Sequence, residues 1–310
     1  MAAILRAFVA PVRFGTRSLP PLGLVILAAV GAVFLAVVAT TSWRTFNDEH
    51  AYWMAASRLV AGQPLYDATA APNTPYAYWY PPPFAQALAP LTGVLSAEAF
   101  SVIWTALLLA CLWWLAGRDV LVALALIAFL PVAVELRVRN VHLLLAVLLV
   151  LALRRSWLFW VPAAAIKVAP ALGILYLAAA RRLREAALVA GVGLTILTAS
   201  FVISPAAWSE FVAVVWPRAG TDGGSLMPIP FAVRFLAGAA LAALGGRAGG
   251  RRGEALLVIG ITLANPTLWA TALSLLVALL PLWRSAPGEA GDGSDPRGAS
   301  RAVRPAVRAT

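Results

Sequence analysis

Ten apolar runs, most parted by short breaks and many of those breaks carrying arginine, take up most of the chain from Leu22 to Trp283. They cover 22–39, 98–116, 119–135, 141–153, 157–166, 169–180, 186–204, 229–245, 255–264 and 267–283. A helix of roughly 20 apolar residues crosses a hydrocarbon core about 30 Å thick. Within that core every backbone N–H and C=O must find its partner inside the protein, which helices achieve locally. The expected fold is therefore all-α, a polytopic membrane helix bundle of about ten segments. Composition excludes a soluble domain: 62% of residues are hydrophobic and 12% charged, against roughly half and a quarter in soluble proteins.

Several of these runs are short. Thirteen residues at 141–153 give about 20 Å of helix, and ten to twelve at 157–166 and 169–180 give about 15–18 Å. The two hairpins broken at Pro170 and Pro266 are accordingly expected to enter only part of the bilayer, where irregular backbone lines a cavity or is buried in protein.

The net charge of +11 forms no patch, because the arginines fall between the apolar runs. Nucleic acid is not an expected partner; the bilayer is. With ten alternating segments and the N-terminus inside, the cytoplasmic side holds 13 arginines before the tail and the external side seven Lys and Arg, the bias that the positive-inside rule demands. This divides the chain into a basic cytoplasmic N-terminus at 1–21, a membrane domain at 22–284 with an external loop at 42–95, and a Gly-, Pro- and Arg-rich tail at 285–310 expected to be disordered and cytoplasmic. Arg6, Arg13 and Arg17, with no acid beside them, mark the first run as an uncleaved signal-anchor. The lone Cys111 permits no internal disulfide, and His50 and His142 are too far apart in sequence to suggest a zinc site.

Few polar residues remain to carry chemistry. Asp48 and Glu49 open the external loop and fit a general base, a metal ligand or the acidic first turn of an interfacial helix. On a helix they point about 100° apart, so Glu49 is expected to tolerate substitution. Tyr66, Tyr78 and Tyr80 suit a membrane interface, and equally the stacking of sugar rings or the packing of isoprenoid chains. Between two apolar runs the chain reads Glu135-Leu-Arg137-Val-Arg139-Asn140-Val-His142. The short run that follows places Arg139, Asn140 and His142 near membrane depth, where polar groups are costly and usually functional. Lys167 interrupts 157–180 near its middle, and must snorkel, pair with a carboxylate, meet an anion or face a water-filled cavity. Asp222, in Gly-Thr-Asp-Gly-Gly, reads as a turn.

In this order the pieces resemble glycosyltransferase family 87, of the GT-C superfamily. The resemblance runs from about Asp48 to Trp269. It rests on Asp48 after the first span, Gly62…Leu65-Tyr66, Tyr80-Pro81-Pro82 through Pro90-Leu91, Ile166-Lys167-Val168-Ala169-Pro170, and Asn265-Pro266-Thr267-Leu268-Trp269. Where the family often carries Gly-Gln, this chain has Arg139-Asn140. The resemblance implies a GT-C-like bundle in the plasma membrane, with its active site on the external face. It would move a hexose, mannose first among candidates, from a polyprenyl-phosphate donor to a glycolipid or glycan acceptor, inverting the anomeric centre. Asp48 is then the expected base. The leaving phosphate needs a cation, for which Lys167, Arg139 and Arg137 are the candidates. Tyr66, Tyr78, Tyr80, His142 and Asn140 are candidates for sugar or lipid contacts. Neither cofactor nor metal is required beyond the donor itself. The competing class is a multi-pass transporter or flippase of a lipid or glycoconjugate, since broken helices also occur there.

Overall fold

A computed structural model describes residues 12–14, 17–41, 47–69, 77–218 and 226–284. The tail at 285–310 and Asp222 lie outside the described residues. A short antiparallel hairpin, β1 (Val12–Phe14) and β2 (Arg17–Leu19), pairs Val12 with Leu19. Thereafter the described chain is helical. The helices are α1 (Leu22–Thr41), α2 (Asp48–Val60), α3 (Pro82–Thr92), α4 (Ala97–Leu115), α5 (Val120–Ile127), α6 (Leu130–Val138) and α7 (His142–Arg154). They continue with α8 (Trp160–Ile166), α9 (Leu172–Ala179), α10 (Leu183–Ile203), α11 (Pro205–Glu210), α12 (Phe231–Ala248), α13 (Gly250–Leu263) and α14 (Leu279–Arg284). A π-helical turn follows α11 at Phe211–Val215, and a 3-10 stretch, Ala270–Ala278, leads into α14.

Each apolar run is helical, yet helix length does not support ten crossings. Among the described residues four helices, α1, α4, α10 and α12, are long and apolar enough to cross a membrane, and five if α5 and α6 count as one bent span. The difference lies in the breaks. Between α5 and α6 the axis turns by 87°, at Phe129, whose backbone is extended (φ −72°, ψ 106°), and Pro131 in the first turn of α6, lacking an N–H, suits a helix start there. α7, α8 and α9 have 13, 7 and 8 residues, the short elements expected of a broken hairpin. α8 stops at Lys167, whose backbone is extended (φ −141°, ψ 144°), and a 3-10 turn at Ala169–Ala171 follows.

Glycine sets the closest packing. In the α12–α13 hairpin Gly238 faces Gly260 and Gly245 faces Gly253, and a Cβ on any of the four would lie 2.2–2.6 Å from the opposite carbonyl oxygen. Small residues at such a seam let two helix backbones meet in an apolar medium. α10 remains mostly unburied, with Leu194, Phe201, Val202 and Ile203 exposed, as a lipid-facing helix requires. The core around α2, α3, α4 and α7 is aromatic: Tyr52 packs edge-on against Tyr80, Phe84 and Trp104 at ring distances of 5.0–5.4 Å.

Candidate active site

Polar side chains converge on the break between α6 and α7. Arg139 ends α6 in the left-handed region (φ 55°, ψ 45°), its N–H donating to the Glu135 carbonyl. Such a conformation costs a non-glycine residue about 1–2 kcal/mol. The surroundings hold it there: the Trp104 indole donates to the Arg139 carbonyl at 2.9 Å, and the guanidinium donates to the Glu49 carboxylate and, at 2.7 Å, to the Ser101 hydroxyl. The reversal turns the next residues, Asn140 and His142, back over the start of α2.

Asn140 is fixed from both ends. Its Oδ1 accepts from the Tyr80 hydroxyl at 3.0 Å and from the Val141 N–H at 2.7 Å, so its Nδ2 is left to donate to Asp48 Oδ2. The Tyr80 hydroxyl is joined in turn to that of Tyr52 at 2.9 Å. Asp48 opens α2, a helix outside the membrane-crossing set, where the positive end of the helix dipole favours an anion. Burial nonetheless dominates and pushes its carboxyl up to about 7, reinforced by the charges of Glu135 and Glu49 and opposed by the Asn140 hydrogen bond and the Lys167 charge.

Glu135 and His142, both buried, form a second arm. Glu135 Oε1 accepts from the N–H groups of His142 (2.6 Å) and Leu143 (3.3 Å), capping α7, while Oε2 lies 3.0 Å from His142 Nδ1. His142 Nε2 lies 2.8 Å from Lys167 Nζ, which also sits 5.2 Å from the centre of the Tyr80 ring. Lys167 is at the C-terminus of α8, where a cation complements the dipole.

The residues singled out in the sequence thus divide. Asp48, Asn140, Tyr80, His142 and Lys167 form one connected group. Arg139 is committed to Glu49 beside it. Arg137 is exposed on the last turn of α6, its carbonyl accepting from Asn47. Tyr66 and Tyr78 lie behind Tyr80, buried, with hydroxyls donating to the carbonyls of Tyr80 (2.7 Å) and Pro81 (3.1 Å). His50 stacks on Trp53 at 6.0 Å. Sequence reasoning passed over two groups: Glu135, one of four ionisable side chains in an apparent loop, and Tyr52, an ordinary core position by pattern. Glu49 corrects an expectation, for it is fully buried and ion-paired.

The model of glycosyltransferase family 87 matches residues 78–291. The chain belongs to glycosyltransferase family 87. This glycosyltransferase 87 match takes in Tyr78, Tyr80, Arg137, Arg139, Asn140, His142 and Lys167 and begins beyond Asp48. No curated protein and no solved structure matches the chain. Family membership together with the long apolar helices makes it a membrane glycosyltransferase.

Proposed function

We propose that this glycosyltransferase moves a hexose, mannose first among candidates, from a polyprenyl-phosphate donor to a lipid-linked or glycan acceptor at the external face of the plasma membrane. The observation that carries the reading is the convergence of Asp48 and Lys167 on one backbone break, Asp48 through Asn140 and Lys167 through His142. An acid and a cation held that way meet the two demands of a single displacement.

The acceptor oxygen attacks the anomeric carbon and its proton passes to Asp48. The bond from that carbon to the phosphate oxygen breaks, and the electron pair leaves with polyprenyl phosphate. Attack opposite the leaving group inverts the centre. A base titrating near neutrality is well matched to this step, and Asp48 has that property through its burial. Lys167 balances the charge that grows on the phosphate. Tyr80, Asn140 and His142 stand between the two and serve as sugar contacts.

The test is purified protein offered a panel of polyprenyl-phosphate sugars with a glycolipid acceptor. Release of polyprenyl phosphate from a hexosyl donor, dependent on acceptor, supports the reading. No release from any donor, with movement of a labelled lipid across proteoliposomes, would replace it with the flippase reading.

A further inference from the structure

We propose that Glu135 is a positioning residue for the donor phosphate, acting through His142 to hold the Lys167 ammonium in place without neutralising it. The inference deepens the proposed function and rests on Lys167 as the phosphate-binding cation.

With Glu135 ionised and the His142 ring neutral, the geometry permits one proton arrangement. A carboxylate only accepts hydrogen bonds, so His142 Nδ1, 3.0 Å from Glu135 Oε2, carries the ring proton. A neutral imidazole has one N–H, so Nε2 presents a lone pair, and Lys167 Nζ at 2.8 Å donates to it. Glu135 is itself locked by two backbone N–H groups of α7 and has no exposed surface. The ring cannot turn without breaking these contacts.

The imidazole spacer has a chemical consequence. A lysine in contact with a carboxylate spends its charge there, and a phosphate would have to displace the acid. Among the described residues Lys167 forms no ion pair within 4.0 Å. Its positioning partners are a neutral ring nitrogen and the face of Tyr80. The ammonium is fixed by one hydrogen and keeps its remaining donors for an anion.

The competing role for Glu135 is that of a helix cap alone, and a double-mutant cycle separates the two. The probe is geranyl phosphate, with geraniol as the uncharged control, binding to purified full-length protein. Lys167→Met is expected to weaken geranyl phosphate at least about tenfold and leave geraniol unchanged, the scale of a hydrogen bond to a charged group. Glu135→Gln offers an amide N–H to Nδ1 and so moves the ring proton to Nε2, facing Lys167. It and His142→Phe are each expected to weaken binding about tenfold, and the double variant no further than the worse single one.

If Lys167→Met binds geranyl phosphate normally, the phosphate reading itself fails. If Lys167→Met loses binding while Glu135→Gln keeps it, or the two single effects multiply in the double variant, the positioning role fails alone. Nitrogen NMR gives a readout free of ligand, because the chain has only two histidines. With ¹⁵N-histidine, His142 of the wild type is expected to be protonated at Nδ1 and bare at Nε2, and a proton on Nε2 overturns the proposal. Should Glu135→Gln not fold, His142→Phe, which leaves the cap intact, and the wild-type spectrum decide.

Discussion

Arg139 and Glu49 form an ion pair with almost no contact with solvent, closed on one side by the Ser101 hydroxyl, 2.9 Å from Glu49 Oε1 and 2.7 Å from the guanidinium. Burial makes such a pair asymmetric: losing one partner strands a charge, whereas losing both is often tolerated. Among the described residues Glu49 Oε2 has no hydrogen-bond partner, so within them the pair is not fully satisfied even when intact. Glu49→Gln is expected to lower stability by about 3–5 kcal/mol, measured by thermal or denaturant unfolding in detergent. The double variant Glu49→Gln with Arg139→Gly should recover most of the loss, since it removes both charges and places glycine at φ 55°. A double variant less stable than Glu49→Gln would show that the pair stabilises on its own account.

Asn140 is expected to set the titration of Asp48. Its side-chain hydrogen bond favours the ionised carboxylate and partly offsets the effect of burial. Asn140→Ala removes that donor, so the acid limb of the kcat/KM profile should move to higher pH and activity at pH 7 should fall. Asn140→Gln should sit between. A limb that moves down, or stays in place while activity falls, would leave Asn140 with its sugar contact alone and no part in the titration of Asp48.

The helices were readable because apolarity alone dictates them, and Asp48 and Lys167 were readable because a lone charge beside or within an apolar run needs a reason. What escaped depended on backbone reversal. Arg139 gives no local sign of a left-handed conformation, a position usually left to glycine, and that turn is what brings Asn140 to Asp48 and His142 to Lys167. Glu135 looked like part of an exposed charged loop, and only its place seven residues before His142, across that reversal, makes it a cap and a ring partner. Glu49 was read as the indifferent neighbour of Asp48. The roughly 100° between them is real, but the other face of α2 meets Ser101 and Arg139 instead of solvent. Among the described residues helix length supports four or five crossings where the apolar runs suggest ten segments, for a related reason: apolar composition marks burial in lipid and burial in protein alike.

Arg234 anchors the second break. It is 3% exposed and donates to four carbonyls: Ile229 at 3.1 Å, Leu263 at 3.1 Å, Asn265 at 2.6 Å and Pro266 at 2.6 Å. Pro266 brings no N–H of its own, and α13 ends with carbonyls that need donors. Arg234→Leu leaves several of them unmet at about 1–3 kcal/mol each. A total loss of roughly 3 kcal/mol or more is expected, read by unfolding and by new protease cleavage near Asn265. Arg234→Lys should rescue little, because an ammonium lacks the planar fork. Wild-type stability in Arg234→Leu would mean that the break is held by packing.

Asp48 offers the sharpest separation of activity from stability. As the base it must be ionised to take the acceptor's proton, so kcat/KM is expected to rise with pH and level off above about 7. Asp48→Asn keeps the shape and can still accept from Asn140, but it has no basicity, and turnover should fall by about 10²–10⁴-fold with donor binding retained. Stability runs the other way. The carboxyl rises from 3.8 to about 7 on folding, so the folded state holds its proton more tightly than the unfolded chain. That contribution is present at low pH and is lost as pH climbs through about 7. Above that point the native state must keep a charge in a buried place. Asp48→Asn removes this penalty, so the variant should melt higher than wild type at pH 8, with the gap narrowing as pH falls and closing only below about 3.8. A variant that is inactive and also less stable at pH 8 would make Asp48 a structural acid, and one that keeps full turnover would remove it from the chemistry.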